Sequence, residues 1–159
     1  MKKNAITLLG LILLSACAFH QTPYVAYEGT HALEDTAVLA SFDEHSAKFN
    51  DSRIFAVDGK TTSCIEVGCP YWVRVLPGDH KFLVRYTSNF GWNLNGSNYS
   101  FANLAVETKE MKPRHVYVLR YQEVDRYVKY VVQDLGERPD FAITLGLQGA
   151  NQKRYPVQF

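Results

Sequence analysis

The chain has 159 residues, a formal charge of +1, and 47% hydrophobic and 13% aromatic side chains. That is enough apolar material for one core in one domain, and a near-neutral balance with no basic block removes the electrostatic case for nucleic acid as a partner. Ten tyrosines and nine phenylalanines tilt the composition toward strands.

The N-terminus carries the most specific pattern. Lys2-Lys3, an apolar run over residues 5–14 and then Leu14-Ser15-Ala16-Cys17 follow one another. A basic head, an apolar segment too short to span a bilayer and small residues at a cut site describe an export signal rather than a folded element. The ending resembles the lipobox of bacterial lipoproteins, whose cysteine is lipidated and becomes the first residue of the mature chain. The resemblance implies that residues 1–16 are removed as a signal peptide and that Cys17 is the lipid attachment site, its acyl chains (palmitate among them) holding the protein to a membrane. Several acyl chains give stable attachment where one is marginal. Ala18, in place of an aspartate, resembles lipoproteins passed on to the outer membrane, which implies a lipid-anchored protein facing the periplasm. The residues alone leave open an ordinary signal cut near Ala16 or an uncleaved anchor helix. No second apolar run of spanning length follows, so the body is expected in water. Without Lys2 and Lys3, 15 basic face 16 acidic side chains.

Residues 17–33 show no sustained period, contain Pro23 and Gly29, and predict a lipidated tether with a reach on the order of 20 Å; Tyr24 and Tyr27 would otherwise dock as a short edge strand. Alternation begins at residues 36–42. A polar segment (43–52) precedes a short apolar strand at 53–57, which stops at the Asp58-Gly59 turn signal. Residues 60–70 form a loop with Cys64 and Cys69. Residues 71–76 and 81–86 alternate on either side of Leu76-Pro77-Gly78-Asp79, which suits a type II turn and predicts a hairpin with Arg74, Lys81 and Arg85 facing out. Residues 87–100 predict a polar loop studded with Phe90, Trp92 and Tyr99. Further strands are expected at 101–108, 115–122, 127–133 and 141–147, with a polar, loose tail over residues 149–159.

Seven or eight short strands and no helical period over ten residues predict an all-β domain over residues 34–148, an antiparallel β-sandwich with a small β-barrel as the alternative. Ile54-x-x-Val57-Asp58-Gly59-Lys60, then Val73-x-Val75-x-Pro77-Gly78-x-His80 and an alternating strand, resembles the core of PEGA-type bacterial surface modules. The resemblance covers residues 54–86 and implies a small β-sandwich used for binding or structure. The Pro-Glu-Gly-Ala segment itself is missing, and the cysteine loop is inserted between the two halves.

Little in the chain supports catalysis. Cys64 and Cys69 suit a disulfide in an oxidising compartment. A metal site needs two more ligands at suitable spacing, and a redox pair wants C-x-x-C in a βαβ setting. His80, with Asp58 or Asp79 as orienting partner, is the one candidate base, set against an exposed turn histidine. No G-x-S-x-G elbow accompanies it. His20, His31, His45 and His115 lack ligand spacing. No enzyme activity, metal or cofactor is expected. Phe90, Trp92 and Tyr99, interleaved with Asn and Ser, form the candidate binding surface: such rings stack on sugars, anchor a partner protein, or cap the open end of a sandwich. The expectation is a membrane-anchored envelope protein acting as an accessory or assembly factor through contacts with envelope proteins, with binding of cell-wall glycan (peptidoglycan) as the alternative.

Overall fold

The computed structural model describes residues 20–41, 50–64, 68–93, 96–124, 127–146 and 150–159; for residues 50, 51, 88–93, 96–101, 123, 124 and 128 it describes the backbone alone. The strands are β1 (Tyr24–Val25), β2 (Ala37–Ala40), β3 (Asn50–Val57), β4 (Lys60–Thr61), β5 (Trp72–Val75), β6 (Gly78–Asn93), β7 (Gly96–Met111), β8 (His115–Val124), β9 (Tyr127–Glu137), β10 (Ala142–Leu145) and β11 (Lys153–Pro156).

Strand β2 explains the layering. Ala37, Val38, Leu39 and Ala40 offer no polar alternate, and a strand of that kind needs apolar cover on both faces. All four are fully buried. Strand β2 lies in the middle of a mixed five-stranded sheet of order β1-β5-β2-β8-β9. Its neighbours are β5, antiparallel with Leu39 opposite Val73, and β8, parallel with Leu39 opposite Tyr117. A four-stranded antiparallel sheet of order β4-β3-β6-β7 covers one face. Leu39, Val73 and Leu119 from the first sheet meet Ile54, Phe82 and Val84 from the second in the main core. The β10–β11 hairpin and the residues after it cover the other face. Val38, Trp72, Val116 and Val118 pack there against Phe141 and Ile143, with Tyr155, Val157 and Phe159 at the margin. Full burial of one such side chain contributes about 1.5–3 kcal/mol, so the third layer is a substantial part of the fold.

The all-β expectation holds, with differences in detail. Eleven strands stand among the described residues where seven or eight were expected, and the larger sheet contains two parallel pairs, β1 with β5 and β2 with β8. The two main sheets share no strand pairing among those residues. The expected hairpin around Pro77-Gly78 is absent: β5 pairs with β1 and β2, whereas β6 pairs with β3 and β7, so the turn carries the chain from one sheet to the other. Both faces of β5 are covered, which buries Arg74 instead of exposing it. Residues 87–93 and 96–100, expected as a loop, continue the β6–β7 ladder as far as Asn93 opposite Gly96.

The two expected loose ends are docked. From His20 onward the chain lies on the domain: the Trp72 indole donates to the His20 carbonyl (3.0 Å), and β1 pairs with β5. In the C-terminal stretch, β11 pairs with β10, and the Arg74 guanidinium donates to the Gln158 carbonyl (2.7 Å) beside the Phe159 ring. Burial lowers the Arg74 pKa from its ordinary value, with Tyr27 acting in the opposite sense. The tail was expected to be loose because it is polar in composition and the tether because it shows no sustained period; period-two apolar residues at Tyr155, Val157 and Phe159 and two free ladder positions on β5 outweigh that.

Candidate functional site

The Asp58-Gly59 turn joins β3 to β4 in two residues, both with positive φ (49° and 79°), the geometry that matches strand twist in tight hairpins. It also presents the Asp58 carboxylate to the start of β6. Oδ1 accepts the Lys81 backbone N–H (2.8 Å) and Oδ2 lies 2.7 Å from His80 Nδ1. The other ring nitrogen, Nε2, lies 2.7 Å from the Leu76 carbonyl oxygen. Burial works against the Asp58 carboxylate, but the Lys81 N–H and His80 outweigh it and hold its pKa below the usual range. The sequence reading placed Asp58 as a partner of His80, and the structure brings them together. It does not expose the ring: the His80 side chain is 13% accessible. With both nitrogens engaged, this pair is a clasp on the turn between the sheets, with no nitrogen left to take a substrate proton.

Asp79 goes elsewhere. Its carboxylate accepts from the Glu110 N–H (2.8 Å) and Lys109 Nζ (2.9 Å), bonds that lower its pKa. A second histidine–carboxylate pair, missed in the sequence, joins His115 Nδ1 to Asp134 (3.0 Å) across β8 and β9. Only the strand register brings these two together, nineteen positions apart. Among the described residues there is no group of three or more His, Cys, Asp or Glu placed to hold a metal ion.

Cys64 and Cys69 form a disulfide, with Cα atoms 4.0 Å apart, and so close the connection between β4 and β5. Cys17 lies outside the described residues. Phe90 and Trp92 belong to β6 and Tyr99 to β7; by register Trp92 pairs with Ser97 and Tyr99 with Asn89.

The two sides of the sandwich differ. On one, the short strands β1 and β4 end the sheets and the exposed Lys60–Glu28 ion pair (2.8 Å) links them, a contact worth little in itself. On the other, the long strands β7 and β9 end the sheets and enclose an open cleft of about 490 Å³, lined by Leu104, Val106, Glu107, Lys129, Tyr130 and Val132. Each presents a row of backbone N–H and C=O groups with no ladder partner in its own sheet, the surface on which an added strand docks. Tyr127 (78%) and Val131 (41%) on β9 are the large apolar side chains most exposed on this side. The cleft was not legible in the sequence, because which strands end the sheets follows from long-range pairing. Chemically, the two strand edges can form main-chain hydrogen bonds to an extended peptide.

No family model, curated protein or solved structure matches this chain.

Proposed function

We propose that this chain is a non-catalytic, lipid-anchored envelope protein that acts as an accessory or assembly factor through protein contacts, attached through Cys17 to the outer membrane on its periplasmic side. The observation that carries the contact is the open β7–β9 side, where two long strand edges flank one cleft. Main-chain pairing there supplies affinity, and the alternating side chains of the added strand supply selectivity. The engagement of both His80 nitrogens supports a role without chemistry. The bacterial lipoprotein signal supplies the address, and the PEGA-like rhythm of residues 54–86 agrees with a surface module.

A photo-crosslinking residue at Ala105 or Lys129, both exposed, tests this in the native envelope. A defined protein adduct is expected there and not at the exposed control position Lys60; equal or absent labelling at all three refutes the assignment. A second reading, peptidoglycan recognition, is favoured by the placement of Trp92 and Tyr99 on the two paired strands of one ribbon. It falls if pull-down on peptidoglycan is unchanged by Trp92→Ala with Tyr99→Ala.

A further inference from the structure

The chain enters the domain at the end from which two ribbons project. His20 is fixed to Trp72, and Trp72 pairs with Ala40 at the end of β2. Strand β8 runs parallel to β2 with Val118 opposite Ala40, then continues to Val124, paired only with β9. On the facing sheet, Ser41 Oγ donates to the Ser52 carbonyl, Ser52 pairs with Tyr86, and β6 continues from there to Asn93. Past Ser88, where β3 ends, β6 pairs with β7 alone. The Tyr86 and Tyr121 rings, 5.5 Å apart, join the two ribbons near this end of the sandwich.

Lengths decide what this end meets. His20 lies three residue steps from Cys17, a reach of at most about 10 Å. Beyond the level of the Tyr86 and Tyr121 rings, β6 runs seven residues to Asn93, roughly 23 Å, and β8 three residues to Val124, roughly 10 Å. With Cys17 held in a leaflet and this end turned toward it, the β6–β7 overhang exceeds the tether, so that ribbon reaches the lipid. The β6–β7 ribbon is also the uncharged one: from Tyr86 to Val106, 21 residues pass without Asp, Glu, Lys or Arg, where about four would follow from the 21% charged content. Phe90, Trp92 and Tyr99 lie within it. Trp and Tyr concentrate at membrane–water interfaces because a ring with one polar edge suits that layer, whereas charges are costly below it.

We propose that the end of the β6–β7 ribbon, residues 88–93 and 96–100, is a second membrane contact, set in the interfacial layer of a phospholipid surface beside the Cys17 anchor. The proposal rests on the lipid-anchor reading for its geometry, and the ribbon composition supplies its chemistry. Anchor and ribbon together fix the orientation of the domain, with its ribbon end toward the bilayer and the β7–β9 cleft turned sideways.

Tryptophan emission tests it, since the chain has two tryptophans and Trp72 is fully buried. The full chain, purified from membranes, is placed with phosphatidylethanolamine–phosphatidylglycerol vesicles carrying brominated acyl chains, and mass spectrometry reads the acyl mass on Cys17. The expected result is loss of most of the Trp92 emission in brominated vesicles, unchanged by salt, and no such loss in Trp92→Phe. Equal emission from the two proteins on co-floating, acylated material overturns the ribbon contact while the anchor stands. Quenching without acyl mass upholds the ribbon contact and removes the anchor; neither signal removes both. A concentration-dependent blue shift without vesicles, with no quenching on adding them, assigns the ribbon to a second copy and also overturns the proposal.

Discussion

Replacing Arg74 with alanine tests whether the C-terminal layer is pinned from inside the sandwich. The Arg74 guanidinium is 4% exposed and has no ion-pair partner among the described residues; neutral oxygens hold it. Nη1 donates to Thr36 Oγ1 at 2.6 Å and Nη2 to the Gln158 carbonyl at 2.7 Å, with a longer contact to Leu33. Each short charge-assisted bond is worth roughly 1.5–3 kcal/mol. Relief from burying the charge returns part of that sum, so the net loss works out at about 3 kcal/mol, against a stability of order 5–15 kcal/mol for a domain. In urea, with m of about 1–3 kcal/mol/M, the midpoint falls by roughly 1–3 M. Carboxypeptidase should also release Phe159 and Gln158 faster from Arg74→Ala, because their attachment is lost. Arg74→Lys keeps the charge without the two-pronged donor and is expected in between. A midpoint shift equivalent to less than about 1 kcal/mol, with the C-terminus still protected, would refute the pinning argument.

Three further outcomes are expected. Exchanging Cys64 and Cys69 together for serine costs about 2 kcal/mol, the low end for a disulfide closing a small loop, and removes the effect of reductant on thermal unfolding. Asp58 and Asp79 have lowered folded-state pKa values, so their contribution is complete above the ordinary 3.8 and is lost as the pH falls through the folded values; denaturation followed against pH should show an acid-side decline that is shallower in Asp58→Asn. Gly146, at φ +106°, would bring an added Cβ to 2.5 Å from the Asn151 carbonyl oxygen, so Gly146→Ala should cost about 1–3 kcal/mol and lower Tm by several degrees.

Local chemistry was legible wherever a strand has one wet face. Alternation located β8, β9 and the middle of β6 and β7, and Asp58-Gly59 marked its turn. The pairing was not. Pro77-Gly78 suits a hairpin in isolation, yet β5 carries apolar or buried residues on both sides and belongs to the doubly covered sheet. The run Ala37-Val38-Leu39-Ala40 held the missing signal, since a strand with no polar side needs a third layer, and Tyr155, Val157 and Phe159 alternate in the stretch that supplies it. For the candidate site, the cysteine pair and the Asp58–His80 partnership could be anticipated. The docked tether stood as the alternative reading of Tyr24 and Tyr27, but the β7–β9 cleft could not be anticipated, because it depends on contacts between residues far apart in the chain. Polar composition likewise hid the extension of β6 and β7: main-chain bonds, blind to side-chain type, continue the ladder through Asn and Gly.

The parallel pairing of β2 with β8 also sets a timetable for folding. Val38 must wait for Val116, 78 positions later, and the layer that shields Trp72 is contributed by residues 141–159. Chains with such distant partners fold slowly, typically in milliseconds to seconds, because loop closure precedes any return in contacts. A polypeptide emerging from its N-terminus would therefore carry a half-clad central sheet until residues 141–159 have followed, and that interval is when a holdase would find apolar strands to grip.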